Sequence, residues 1–244
     1  MIDFLGLGAM KAGSNWQRRW LATHPDIFVA PGEMHYWTGR SRLSREQYHA
    51  AFAEAREEQV VGEITPKYAV MDDAGVAALR DYNPDLRLFY CLRNPIDRAW
   101  AHIRMGHMHE RLDLTRASYD RILKLFARWV RHGEYRENIA RWRRHFSAEQ
   151  LHVFLFDDMM ADPVATLEAI ARHIGAAPGH FEALPKTDHR KLTDRVFAAD
   201  EIAISDSVLD HLRKEYAEPI RVLCADLGRD LCHWVEKPDC ARLI

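Results

Sequence analysis

Apolar residues gather in four short runs, at Ile2–Leu7, Gln59–Gly62, Leu86–Leu92 and Leu151–Phe156. Each has strand length, and Leu86–Leu92 is nearly continuous, as expected of a central strand covered on both faces. The segments between them have helical character. Strands alternating with helices predict an α/β fold: a P-loop-like central parallel sheet flanked by helices on both faces. Polar punctuation sets the helix limits. A helix over Ser14–Thr23 is closed by His24-Pro25, and Ser44-x-x-Gln47 reads as a capping box opening a helix to about Arg56. Asp72 or Asp73 starts another helix that ends near Asn83-Pro84. Pro95 and Pro163 stand at first helical positions behind Asn94 and Asp162, and the helix from Pro163 runs to about Ile174. Gly175–Asp200 reads as one long loop. The last amphipathic stretch puts Val208, Leu209, Leu212, Tyr216, Ile220 and Leu223 on one face, with Pro219 expected to kink or interrupt it.

The 244 residues are most economically one domain spanning 1–244, with no internal repeat or linker. A formal net charge of -2 gives no reason to expect nucleic-acid binding. The stretch from Arg104 to His145 departs from that average, with Arg104, Arg111, Arg116, Arg121, Arg128, Arg131, Arg136, Arg141, Arg143 and Arg144. A solvated face of two helices accounts for it slightly better than a dedicated anion surface. No run approaches the roughly 18 apolar residues of a membrane span, and the chain enters a strand at once with no basic leader. A cytoplasmic protein is the expectation. Cys91, Cys224, Cys232 and Cys240 lack metal-site spacing. Cys91 reads as core and the others as reduced thiols, and no metal ligand set stands out.

Three constellations carry chemistry. Gly8-Ala9-Met10-Lys11-Ala12-Gly13-Ser14 is a glycine-punctuated turn between a strand and a helix, carrying one lysine. Backbone N–H groups at such a helix start attract an anion. The lysine precedes the second glycine by two residues, unlike the nucleotide-hydrolase signature. Leu92-Arg93-Asn94-Pro95-Ile96-Asp97-Arg98 follows a buried strand, where Arg93 is a fork donor suited to a phosphate. Arg98 reads instead as a partner of Asp97 stapling the helix start. Pro31-Gly32-Glu33-Met34-His35 sets a carboxylate and an imidazole two residues apart, either surface groups or an acid/base pair.

Together these segments resemble the sulfotransferases that use 3'-phosphoadenosine 5'-phosphosulfate (PAPS), nearest to the heparan sulfate sulfotransferase-like branch and its bacterial relatives. Lys11-Ala12-Gly13-Ser14 is similar to the loop that binds the 5'-phosphosulfate, with His24-Pro25-Asp26 following. Ala30–Trp37 resembles the segment with the catalytic glutamate, and Glu63-Ile64-Thr65-Pro66-Lys67-Tyr68 the Glu-Lys-Thr/Ser-Pro-x-Tyr segment. Arg93–Trp100 resembles the 3'-phosphate segment; Gly133-x-Tyr135, Trp142, Phe156-Asp157-Asp158 and Asp162-Pro163 continue in order.

The resemblance implies Glu33 as general base, His35 as its assistant and Lys11 at the leaving phosphate. It implies cofactor binding by Lys11, Ala12, Gly13, Ser14, Asn15, Trp16, Arg93, the position of Ala101, and Arg190 in a late loop. The cofactor it implies is PAPS, released as 3',5'-ADP. The acceptor is a hydroxyl or amine of a small molecule, glycan or lipid headgroup. This chain departs from the family pattern at Asn15 (usually Thr or Ser), Ala101 (usually Ser) and Ile64 (usually Lys, with Lys67 close by). Only His189-Arg190-Lys191 approaches the late Lys-Gly-Arg loop. The alternatives are a noncatalytic 3',5'-ADP- or PAPS-binding relative and a P-loop kinase.

Overall fold

The computed structural model describes residues 1–39, 41–109, 113–192 and 202–238. Arg111, Cys240 and residues 193–200 of the expected loop lie outside the described residues. Along the chain run β1 (Phe4–Gly8), α1 (Ser14–Leu21), β2 (Ile27–Val29), α2 (Arg45–Ala50), β3 (Val60–Ile64), α3 (Asp73–Tyr82) and β4 (Arg87–Leu92). Then follow α4 (Pro95–Met108), α5 (Tyr119–Trp129), α6 (Tyr135–Arg143), β5 (Leu151–Leu155), α7 (Phe156–Ala161), α8 (Pro163–Ile174), α9 (Lys186–Leu192), α10 (Asp206–Leu227) and α11 (His233–Glu236). They divide into two compact units, Met1–Leu92 with Asn138–Val196, and Arg93–Glu137 with Phe197–Ile244.

The first unit holds a five-stranded sheet in the order β2-β3-β1-β4-β5. Every pair is parallel, with Phe4 beside Gly62 and Arg87, and Leu88 beside Leu151. β1 and β4 are the apolar heart of the sheet: Phe4, Leu5, Leu7, Leu88, Phe89, Tyr90, Cys91 and Leu92 are all fully buried. Because all strands run the same way, the turns after β1, β2 and β3 emerge together at one edge, the carboxyl end where α/β folds place ligands.

Local chemistry explains where the elements stop. Ser44 and Gln47 close the expected capping box, but α2 ends at Ala50 rather than near Arg56. Beyond it the chain falls into three-residue turns, Phe52 N to His49 O, Ala53 N to Ala50 O and Ala55 N to Phe52 O. Asp72 caps α3 through the Gly75 N–H at 2.9 Å, and Asp162 caps α8 through the Ala165 N–H at 2.9 Å. The strand Ile27–Val29 went unforeseen because three residues carry no period. The expected loop after Gly175 contains α9.

In the second unit Asn94 caps α4 through the Ile96 N–H and fastens to the Trp234 carbonyl at 2.8 Å. Trp100 stacks on Phe126, their ring centroids 6.1 Å apart. Arg98 is fully buried and donates to the Trp129 carbonyl at 2.8 Å. α10 buries the six apolar residues expected of it and continues through Pro219. Pro219 and Glu215, whose carbonyl loses its helical partner there, both lie on the exposed side, so water can satisfy that group.

Candidate functional site

The turn after β1 is built from backbone. Lys11 has φ 66 and Gly13 φ 84, both left-handed, and Gly13 is the N-cap of α1 without any side-chain cap. The left-handed backbone calls for glycine at 13, and a Cβ there would also meet the flexible tip of Met159, its Cε at 2.7 Å. The N–H groups of Ser14, Asn15 and Trp16, in the first turn of α1, have no helical acceptor and make an anion-binding start. The Ala12 N–H is turned inward to the Ala9 carbonyl at 3.1 Å, so Ala12, expected among the cradle donors, commits its N–H within the turn. Buried Gln17 holds the turn from behind, its Nε2 donating to the Ala12 carbonyl at 3.1 Å. Nothing in the sequence reading pointed to Gln17.

The loop after β2 carries Glu33 and His35, which pair at 3.2 Å between Oε2 and Nε2. Their side chains are 38% and 39% exposed, which keeps both within reach of a ligand. The loop is hung on a buried carboxylate at the end of β3. Glu63 is fully buried and accepts from Tyr48 Oη at 2.8 Å, Tyr68 Oη at 2.9 Å and Thr65 Oγ1 at 2.7 Å. Those hydroxyls in turn receive the loop: Met34 N donates to Thr65 Oγ1 at 3.0 Å and Trp37 Nε1 to Tyr48 Oη at 3.0 Å. Burial pushes the Glu63 carboxyl above the ordinary range, against the pull of its three hydroxyl donors. Burial also raises the phenols of Tyr48 and Tyr68, so both stay protonated and able to donate. Glu63 was noticed as part of a motif; Tyr48 was not. A buried acid facing two phenols has no local sequence signature.

Arg18 lies between turn and loop. Its Nη1 donates to Asn15 Oδ1 at 2.8 Å and its Nη2 to the Ile64 carbonyl at 2.6 Å. Trp16 donates through Nε1 to the Leu192 carbonyl at 2.7 Å, tying α1 to α9, the helix that carries exposed Arg190. Thus Lys11, Ala12, Gly13, Ser14, Asn15, Trp16, Glu33, His35 and Arg190 all belong to the first unit. Arg93 and Ala101 belong to the second. Half-buried Arg93 follows β4 in the chain, and its backbone N–H and carbonyl both engage the Tyr135 hydroxyl. Ala101 is 5% exposed within α4 and brings no side-chain donor.

Among the described arginines of the basic stretch, Arg116, Arg121, Arg128, Arg131, Arg136, Arg143 and Arg144 are exposed. Arg136 pairs with Asp226, and Arg144 with Asp73 at 2.5 Å. A solvated face fits them.

The sequence model of the family described as "Sulfotransferase family" matches residues 42–178. The chain is similar to mouse heparan sulfate glucosamine 3-O-sulfotransferase 5, at 20% identity over 183 residues, 70% of this chain and 53% of the relative. It is also similar to the bifunctional heparan sulfate N-deacetylase/N-sulfotransferase 1 of Caenorhabditis briggsae, at 25% identity over 202 residues, 74% of this chain and 23% of the relative. The chain therefore spans about half the length, or less, of these curated relatives. In fold it matches a sulfotransferase from Alicyclobacillus acidocaldarius with a TM-score of 0.78 at 23% identity, covering 96% of this chain and 98% of the other. The sulfotransferase domain of the curacin biosynthetic pathway matches with a TM-score of 0.58 at 14% identity, covering 94% and 98%.

Proposed function

The chain belongs to the sulfotransferase family, whose model covers more than half of it, and we propose that it moves a sulfuryl group from PAPS to a hydroxyl or amine. The acceptor we propose is a small molecule, a carbohydrate or a lipid headgroup. The observation that carries the reading is the Glu33–His35 pair, which follows β2 at the same carboxyl edge where the Lys11 turn follows β1.

The residues present fit such a donor. The uncapped start of α1 and the left-handed backbone at Lys11 and Gly13 favour a phosphate. PAPS, when bound, supplies an activated sulfuryl group. Lys11 and the first-turn N–H groups of α1 would hold the 5'-phosphate of PAPS and stabilise negative charge on it. Glu33 takes the proton of the acceptor while the new oxygen– or nitrogen–sulfur bond forms, and His35 orients it. Positioning and charge stabilisation supply most of the rate in such in-line transfers. Arg93 takes the 3'-phosphate, a role that rests on the sequence resemblance. Arg190 closes over the nucleotide; the Trp16–Leu192 bond supports this by fastening its helix to α1.

The test is transfer of radiolabelled sulfate from PAPS to a panel of desulfated glycans, lipids and small alcohols and amines. A labelled product that disappears in Glu33→Gln supports the reading. Binding of 3',5'-ADP without transfer to any member of a broad panel would favour a noncatalytic role.

A further inference from the structure

Gly133-x-Tyr135 leads into α6 at a tyrosine that is only 2% exposed. The Tyr135 hydroxyl donates to the Arg93 carbonyl and accepts the Arg93 N–H at 3.3 Å, across a separation of 42 residues. Tyr135 and Arg93 both belong to the second unit. One buried oxygen thus engages both backbone groups of the residue that leaves the central strand.

Arg93 needs such a partner because of where it stands. β4 ends at Leu92, which pairs with Leu155 of β5. The helical ladder of α4 begins at the Asn94 carbonyl, which receives the Arg98 N–H at 2.9 Å. Half-buried Arg93 lies between strand and cap, where its peptide groups still have to be satisfied. A phenol can do both tasks, since its oxygen donates one proton and accepts another. Asn94 is held separately, its Nδ2 donating to the Trp234 carbonyl at 2.8 Å and its Oδ1 receiving the Ile96 N–H at 3.0 Å. The backbone that carries the Arg93 side chain is therefore fixed by the strand before it, the cap after it and Tyr135 at the residue itself.

That fixing bears on recognition. An arginine fork grips a phosphate through two parallel bonds, and the grip depends on where the long stem starts. Displacing a binding group by about 1 Å can cost as much as a factor of 100. Ala101 of α4 brings no side-chain donor, so more depends on the placement of Arg93.

We propose that Tyr135 is a positioning residue for recognition of the 3'-phosphate, its hydroxyl fixing the Arg93 backbone and so the origin of the guanidinium. Tyr135 acts through Arg93 and not on the ligand. The inference rests on the sulfotransferase reading and on the part that reading gives to Arg93.

The experiment is calorimetric titration of the full chain with 3',5'-ADP and with 5'-AMP, which lacks the 3'-phosphate, joined to hydrogen exchange at the Arg93 amide. Tyr135→Phe removes only the hydroxyl. It should bind 3',5'-ADP about tenfold more weakly while its affinity for 5'-AMP stays within about twofold. In an Arg93→Ala background the same substitution should change 3',5'-ADP affinity by less than about twofold, because residues that act as a unit are not additive. Equal weakening toward both nucleotides, or effects that simply add, would overturn the proposal. Should Tyr135→Phe fail to fold, exchange in the unaltered chain still decides: a protected Arg93 amide supports the anchor, and free exchange there overturns it. If the unaltered chain binds neither nucleotide, the sulfotransferase reading falls. The anchor then stands if Tyr135→Phe exposes the Arg93 amide and falls if exchange is unchanged.

Discussion

Thr65 accepts the Met34 N–H on its hydroxyl oxygen at 3.0 Å and donates its own O–H to Glu63 at 2.7 Å. Through that one oxygen the exposed loop bearing Glu33 is fastened to a carboxylate sealed inside the sheet. Thr65→Val keeps the shape and removes both bonds, leaving a buried acceptor one donor short at a cost of about 1–3 kcal/mol. Turnover should fall by about an order of magnitude while 3',5'-ADP binding stays within twofold. Thr65→Ser should restore it. Urea unfolding beside steady-state kinetics, using the acceptor found by labelled transfer, separates the loss of fold stability from the loss of loop placement.

Glu33→Gln leaves shape and burial untouched and removes only the basicity. Its turnover should drop by about 100-fold or more, as expected when a general base is lost. Affinity for 3',5'-ADP, measured by calorimetry, should not change. Normal turnover in this variant would show that another group takes the proton.

Gly13→Ala puts a methyl group against Met159 Cε at 2.7 Å and forces a left-handed residue to carry a side chain. Left-handed backbone costs a non-glycine residue roughly 1–2 kcal/mol. The variant should lose thermal stability by that order and bind 3',5'-ADP at least tenfold more weakly. Unchanged affinity would mean that the backbone of this turn does not hold the nucleotide.

The chain should also weaken in mild acid. Burial, and then neighbouring His173, lowers the His152 imidazole from 6.5 to about 4. The unfolded chain therefore takes up a proton that the fold refuses. The stability tied to neutral His152 is complete above pH 6.5 and is lost as pH falls toward 4. The raised carboxyl of Glu63 works in the opposite sense, since its ionisation on the way up in pH costs the fold. Comparing His152→Gln with the unaltered chain isolates the histidine. Urea midpoints at pH 7.5 and pH 5 should differ less in the variant, by roughly 1–2 kcal/mol in stability.

What could be read from residues alone followed the strength of the local signal. β4 was legible because six consecutive residues are nearly all apolar, and α3 and α8 because Asp72 and Asp162 cap them. β2 escaped because three residues between Pro25 and Pro31 show neither alternation nor length. Pro219 misled because its effect depends on which side of α10 it faces, which requires the packed helix. In the candidate site, Lys11, Gly13, Glu33 and His35 stood out as candidates because loops concentrate their signature in a few adjacent residues. Arg18, Gln17 and Tyr48 were not. Each acts through a partner distant in the chain, as Arg18 does at Ile64 and Tyr48 at Glu63, and such pairings exist only after the strands have set their register.

Calorimetric titration with 3',5'-ADP, repeated on Lys11→Ala and Arg93→Ala, tests the account most directly. One site per chain is expected, with affinity at least tenfold weaker in each variant and with 5'-AMP bound far more weakly than 3',5'-ADP by the unaltered chain. An absence of heat with the unaltered chain, or equal affinity after Lys11→Ala, would contradict it.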